Sequence, residues 1–291
     1  MRSSTSQAVP RLGDVELTRI GLGGMPLSLG RGRERGLADE TVAAALDAGV
    51  NLIDTADAYS LDDTEVGHNE RLIAHALEAY RGERGPPLVA TKGGHTRHGT
   101  DWDLDGSPEH LRAACEASLR ALGVEAIDLY QLHRPDPQVP YAESVGALRD
   151  LREEGKVREV GLSNATVAQL EEAEAIVPIA AIQNELSPDY LAPLDNGEVE
   201  ACERRGIPFL AWSPLGGMDA AGDGAPAIEV IAAERGVSPQ RVTLAWLLSL
   251  SPAIVPLVGA SRPETIRDSV AATDLRLTEG ERTRIAADTP V

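Results

Sequence analysis

The order of apolar residues predicts an α/β fold, a (β/α)8 TIM barrel, built as a single domain over residues 1–291. Three observations carry this. Short apolar runs alternate with longer segments of helical period to the end of the chain without a break in composition. There are eight such runs, rich in Val, Ile, Leu and Ala, as parallel strands covered on both faces require. A length of 291 residues, 42% of them hydrophobic, suits one large barrel or two modest domains. A doubly wound open sheet is the alternative arrangement of the same elements.

The strands are expected at 19–25 (RIGLGGM), 51–56 (NLIDTA), 88–93 (LVATKG), 126–133 (AIDLYQLH), 157–164 (VREVGLSN), 180–186 (AAIQNEL), 207–215 (IPFLAWSPL) and 253–261 (AIVPLVGAS). Between them ADETVAAALDAG, NERLIAHALEAY, SPEHLRAACEASLRALG, AESVGALRDLREEG, TVAQLEEAEAI and LDNGEVEACERRG read as helices. Ser107 and Pro108 open one of these with Glu109 and His110 in the first turn, and Gly123 and Gly155 stand just past two helix ends. The seventh connection holds two helical stretches, APAIEVIAAERG and SPQRVTLAWLLSL; Pro263 opens a further helix, and a last one spans roughly 278–288.

With 46 acidic and 27 basic side chains the formal charge is −19 and the pI near 4.7, which argues against binding nucleic acid by phosphate neutralisation. A phosphate-bearing ligand must then meet a local positive site. The basic residues are 25 Arg and two Lys, Lys92 and Lys156. Cys115 and Cys202 each fall in a helical stretch and read as buried or idle thiols. The start, MRSSTSQAVPRLG, has no apolar leader core, and the longest apolar stretch is interrupted by Ser, Pro252 and Pro256, so a cytoplasmic protein without a membrane span is expected.

In a barrel the C-terminal strand ends and the loops after them carry chemistry, and the opposite rim carries stability. Those ends read DTADAY, TKGGH, LHRPDP, LSNAT, QNELS, WSPLGG and VGASRPE. Asp54, Tyr59, Lys92 and His133, from three successive ends, form a titratable cluster. Since this chain uses Arg for generic positive charge, Lys92 indicates a compact ammonium that either forms a Schiff base or tunes a neighbouring acid. Tyr59 favours the second. Drawing a phenol from about 10 two or three units toward neutrality takes about 3–4 kcal/mol. A unit charge about 4 Å away at an effective dielectric of about 20 supplies about 4 kcal/mol. Asp54 would hold the ammonium, and Asp57 reads as a loop or cap residue. His133, followed by a helix-stopping RPDP, suits a donor to a substrate oxygen. A tuned hydroxyl beside an imidazole makes a site for a carbonyl becoming an alkoxide, and hydride from a nicotinamide fits the missing nucleophile.

DTADAY, the ATK strand end, DLYQLHRPD, GLSN, QNE, WSPLGG and VGASRPETIRDS together resemble the aldo-keto reductase superfamily, in order and along nearly the whole chain. The resemblance implies a catalytic tetrad of Asp54, Tyr59, Lys92 and His133, with Tyr59 as general acid in reduction. It also implies NADP(H) lying extended across the barrel top without a Rossmann domain. Accordingly GLGGMPLSLG at 21–30 does not complete GxGxxG, Pro26 standing where the last glycine would fall. Carried over, Ser163, Asn164 and Gln183 hold the nicotinamide carboxamide and Trp212 stacks on the ring. Asp54, Gly24 and Met25 lie near the nicotinamide, and Ser213, Pro214, Leu215, Gly216 and Gly259 complete the path of the cofactor. At the adenosine end the family's basic residue and Asn are replaced by Thr265 and Ser269, leaving Ser261 and Arg262, just before the helix that Pro263 opens, for the 2′-phosphate, with Arg267 as a second candidate and NADPH expected over NADH.

The substrate pocket is assigned to Met25, Tyr59, Trp102 and His133, and its expected occupant is a small aldehyde or ketone. Aromatic residues make up only 3% of the chain, and short connections around the mouth suggest an open pocket. His95 and His98 invite a metal reading, but no matching His or Cys completes a ligand set, so no metal is expected. Lys156, between a helix and strand five, is expected to be structural, and the NAT at 164–166 is sequon noise. A Schiff-base aldolase or metal hydrolase would leave the SN, QN and WSPL ends without a role. A redox-sensing partner subunit would need an appended binding segment. The sequence leaves the oligomeric state and the physiological substrate open.

Overall fold

Residues 9–29, 33, 35–217 and 225–289 are described by a computed structural model. Most of the amino-terminal stretch read for a leader, residues 218–224 of the seventh connection and residues 290–291 of the tail lie outside these. The chain opens with an antiparallel hairpin, β1 (Arg11–Leu12) and β2 (Val15–Glu16), followed by β3 (Gly21–Gly23), α1 (Met25–Leu29) and α2 (Arg35–Asp47). Next come β4 (Leu52–Asp54), α3 (His68–Ala79), β5 (Leu88–Gly93), a second hairpin of β6 (His95–His98) and β7 (Asp101–Leu104), and α4 (Pro108–Leu122). The middle holds β8 (Ile127–Leu132), α5 (Tyr141–Glu153), β9 (Val157–Ser163), α6 (Val167–Glu174) and β10 (Ile179–Glu185). The rest is α7 (Ala192–Asp195), α8 (Glu198–Arg205), β11 (Phe209–Trp212), α9 (Pro226–Arg235), α10 (Pro239–Leu250), β12 (Ile254–Gly259), α11 (Pro263–Val270) and α12 (Glu279–Asp288).

Eight of the strands pair in parallel and close on themselves in chain order, β3-β4-β5-β8-β9-β10-β11-β12. The expected TIM barrel is therefore the fold, and the open sheet is excluded. Six of the eight barrel strands are shorter than their apolar runs, whereas β5 coincides with its run and β10 is shifted by one residue. Strand one stops at Gly23 because Met25 already begins α1, and strand seven stops at Trp212 because Ser213 turns into the left-handed region at φ 49°. The stretch expected as one helix before strand seven is two, α7 and α8, parted at Gly197 with φ 86°. The helix signals at Ser107 and Pro108 hold: the Ser107 hydroxyl accepts from the His110 amide, and Gly123 closes α4 at φ 70°.

The period-two alternation of strands explains how the barrel builds a site. One buried cluster fills the barrel interior with Leu52, Ala90, Leu129, Ala181, Leu210, Val255 and Leu257. Leu12 and Leu17 of the first hairpin join it and cap its floor. Where β3 and β9 pass this layer the chain has glycine: a Cβ on Gly21 would stand 2.7 Å from Leu257, and one on Gly161 would stand 3.0 Å from Gln131. Two residues further along the eight strands come Gly23, Asp54, Lys92, Gln131, Ser163, Gln183, Trp212 and Gly259. Most of these are polar, and they form the floor of the open end. Cys115 and Cys202 pack in the outer helix–strand core, where burial pushes both thiols up to about 12. Lys156 sits in the turn before β9 and pairs with Glu116 at 2.8 Å and Glu154 at 3.0 Å.

Candidate active site

Lys92 is fully buried at the end of β5, and its ammonium donates to Asp54 Oδ2 at 2.7 Å, the Thr55 carbonyl at 2.7 Å and the Tyr59 hydroxyl at 3.1 Å. The other carboxylate oxygen of Asp54 accepts from Gln183 Nε2 at 2.7 Å. The His133 ring stands edge-on to Tyr59 with centroids 5.8 Å apart, and its buried Nδ1 has no partner among the described residues. The four residues expected to cluster do so.

The expected sense of the Tyr59 shift is reversed. Burial pushes the phenol above its ordinary value, and the Lys92 ammonium only partly offsets this. Loss of water around the buried phenol is the main cause, and the Asp54 carboxylate adds to it by offsetting part of the ammonium's field. Burial also opposes the Lys92 charge, but attraction to Asp54 and Tyr59 holds its pKa above the ordinary lysine value. His133 is held well below the usual imidazole range by burial, then by Lys92, His95 and Arg134, so the ring is neutral near pH 7. Asp57 is a loop residue as expected, yet buried. Its carboxylate accepts from the Ala58 amide at 2.6 Å, and burial followed by Glu70 raises its pKa well above the carboxylate range.

Above this cluster opens a cavity of about 380 Å³. Its wall takes Met25, Asp54, Tyr59, Trp102, His133, Ser163, Asn164, Gln183, Trp212, Ser213, Pro214, Leu215 and Gly259 from the expected set, together with Gly23, Pro26, His95, Arg134, Gly217 and Leu257. Gly24 and Gly216 adjoin the wall without lining it. Asn164 and Ser213, at φ 56° and 49°, are the two non-glycine residues of positive φ among the described residues, and both lie here. Asn164 Nδ2 donates to the His133 carbonyl and Ser163 Oγ, each at 3.0 Å. With the Gln183 amide bound to Asp54, Asn164 Oδ1 and Gln183 Oε1 remain as acceptors. Trp212 Nε1 is buried without a partner among the described residues.

A second groove meets the cavity at Leu215, which lines both, and takes Arg262, Thr265, Arg267 and Ser269 with Gln240, Arg241, Glu264 and Asp268. Ser261 lines neither space. Arg241 is committed to Asp268 at 2.5 Å and Arg262 lies 3.4 Å from Glu264, whereas Arg267 has no acidic partner among the described residues.

Two parts of the site were not read from the sequence. Fully buried Asn69 of α3 donates to the Gly24 carbonyl at 2.7 Å and Ser28 Oγ at 2.8 Å, and accepts from Thr55 Oγ1 at 2.6 Å; Ser28 in turn donates to the Tyr59 carbonyl at 2.8 Å. The Tyr59 loop is thereby tied to the ends of β3 and β4. The other part is the β6–β7 hairpin. His95 stands edge-on between His133 at 4.3 Å and Trp102 at 5.4 Å, and Arg97 covers Trp102 at 4.2 Å while donating to the Leu61 carbonyl at 2.6 Å. His98 points elsewhere, 73% exposed, because residues three apart on a strand face opposite sides.

A barrel that holds a proton-bearing hydroxyl beside a buried ammonium at the mouth of a cavity defines an enzyme acting on a polarised oxygen. The chain belongs to the aldo/keto reductase family, whose model matches residues 19–287. These are oxidoreductases that exchange hydride between NADP(H) and a carbonyl. It is 34% identical over 274 residues, 92% of this chain and 85% of the other, to an uncharacterized oxidoreductase of Schizosaccharomyces pombe. It is 35% identical over 255 residues to a 6-dehydroglucose reductase of Novosphingobium aromaticivorans, covering 84% of this chain and 83% of that one. Its structure resembles that of a glycerol dehydrogenase of Gluconobacter oxydans, with a TM-score of 0.81 at 27% identity, covering 97% and 95% of the two chains. Among the described residues no helix is long and apolar enough to cross a membrane.

Proposed function

We propose that this chain reduces aldehyde or ketone carbonyls to alcohols with NADP(H), Tyr59 giving the proton and Lys92, Asp54 and His133 supporting it. The observation that carries this reading is the 3.1 Å contact between the Lys92 ammonium and the Tyr59 hydroxyl at the cavity floor. The residues present fit the cofactor. Asn164 Oδ1 and Gln183 Oε1 are free acceptors for a carboxamide, Trp212 and Leu215 offer apolar surface, and the groove of Arg262 and Arg267 adjoins the cavity at Leu215. The bound cofactor supplies hydride to the carbonyl carbon.

As negative charge grows on the substrate oxygen, the His133 imidazole donates a hydrogen bond to it and Tyr59 passes its proton across. The phenolate left behind faces Lys92 Nζ, which stabilises it without leaving Asp54. Burial of Tyr59 keeps the proton on the phenol until that oxygen becomes basic, so proton release follows the demand of the substrate. The adenosine 2′-phosphate is assigned to Arg267 and Arg262, the former having no acidic competitor among the described residues. Ser261, standing off both walls, is not assigned a contact.

Tyr59→Phe tests the reading. NADPH consumption with a panel of aromatic, aliphatic and dicarbonyl aldehydes is expected to fall by several orders of magnitude while NADPH binding survives, and near-normal turnover would sink the assignment. Lys92→Arg keeps the charge but replaces a compact three-donor ammonium with a planar fork that cannot reach Asp54, Thr55 and Tyr59 together, so strong impairment of kcat is expected.

A further inference from the structure

The cavity wall departs from the charge of the molecule around it. The chain carries 46 acidic residues against 27 basic ones, yet among the described residues of the wall the sole acid is Asp54. That carboxylate is fully engaged, one oxygen on Lys92 and the other on Gln183. His95 and His133 are both held below the ordinary imidazole range by burial first, and so are neutral. One charge on the wall is left without a counter-ion: Arg134, the residue after His133 where β8 turns outward. Its guanidinium makes no ion pair or hydrogen bond with any described residue. Glu185, whose pKa is raised by burial and only partly restored by Arg134, lies off the wall and outside ion-pair distance. An acidic protein that clears a cavity of free carboxylate and leaves a five-donor planar fork at its rim has built a receptor for an anion beside its proton donor.

We propose that Arg134 is a specificity-determining residue that selects carbonyl substrates bearing a carboxylate away from the reacting carbon. The inference rests on the carbonyl-reductase reading above and names the substrate class of that same site. The reacting oxygen lies between Tyr59 and His133 on the floor. Arg134, adjacent to His133 in the chain and on the same wall, receives the distal carboxylate in a two-pronged hydrogen bond. Trp102, itself fixed under Arg97, supplies the apolar flank for the carbon skeleton between the two ends.

The test compares kcat/KM for 4-carboxybenzaldehyde with that for 4-methylbenzaldehyde in the wild-type enzyme, Arg134→Gln and Arg134→Glu. Taking the ratio within each protein and then between proteins cancels the intrinsic reactivity of the two aldehydes. Arg134 is exposed at the rim, so the ratio is expected to fall about three- to fivefold in Arg134→Gln, the size of one solvent-screened charge-assisted contact, and further in Arg134→Glu. The wild-type ratio should also decline as salt is raised. A ratio that is the same in all three proteins overturns the inference and leaves the carbonyl-reductase reading standing. A rise in KM for NADPH in the variants with an unchanged ratio also overturns it, by giving Arg134 to the cofactor. Failure of the wild-type enzyme to consume NADPH with any aldehyde of the wider panel ends the parent reading and this one with it, whereas activity on that panel without reduction of 4-carboxybenzaldehyde overturns this one alone.

Discussion

Lys92 Nζ directs its three hydrogens at Asp54, the Thr55 carbonyl and Tyr59, leaving none for water. That full engagement explains why a lone ammonium can be buried here, since an unpaired one would lose its proton. It also explains why the sequence argument for a lowered phenol failed. The Coulomb estimate for a lysine about 4 Å away was sound in magnitude. It left out the loss of water around the phenol, and that loss, added to the offset from the Asp54 carboxylate, wins. A pH consequence follows for reduction. The folded Tyr59 holds its proton beyond the ordinary phenol value of about 10, and His133 gains a second proton only well below about 6.5. The profile of kcat/KM for an aldehyde at saturating NADPH is therefore expected to be level between these limits, since neither group changes state there. A falling alkaline limb centred at pH 7–8 would show that the ammonium outweighs burial after all.

Elements differ in how plainly the sequence announced them. The eight barrel strands were legible because burial on both faces writes them as continuous apolar runs, and the long helices because their caps and three-to-four spacing are local. The two hairpins and α1 were not. Strands of two to four residues carry too few alternations to register, and His95 and His98 took on a helical spacing that their strand abolishes. Strand-end residues of the site were legible for a related reason, since a barrel fixes which end is chemical. Asn69 was not, because burial of an amide on α3 against the tips of β3 and β4 is a tertiary fact with no local signature. That residue couples three elements, so its removal should cost more than one hydrogen bond. Asn69→Ala leaves the Thr55 hydroxyl without its acceptor and takes a donor from the Gly24 carbonyl, for an expected loss of about 2–3 kcal/mol of stability. Denaturant unfolding should register this as a lower midpoint at unchanged m. Because the Tyr59 loop hangs from the same network through Ser28, kcat should drop by about tenfold, with KM for NADPH changing less.

The whole molecule carries a charge of −19 and is proposed to bind a polyanion, and these two facts act over different distances. Acids spread over the surface repel the cofactor through a far field that reaches about 30 Å at 0.01 M salt but about 8 Å at 0.15 M. In the proposed assignment Arg262 and Arg267 act at contact, where salt screens less. In the wild-type enzyme the two effects oppose, so KM for NADPH should vary little, or rise, between about 10 and 150 mM salt. Replacing both arginines by glutamine removes the contact term and leaves the repulsion. In that variant KM for NADPH should be about tenfold higher at 0.15 M and should fall as salt is added, the slope opposite to that of ordinary anion binding. NADH lacks the 2′-phosphate, so its KM should respond less to the substitutions while keeping the same sign of salt dependence. If instead the double variant raises KM for both cofactors equally, the arginines serve the shared pyrophosphate and the 2′-phosphate is met elsewhere. If it raises neither, the groove beyond Leu215 is not the adenosine site, and the extended path of the cofactor must leave the barrel mouth by another strand end.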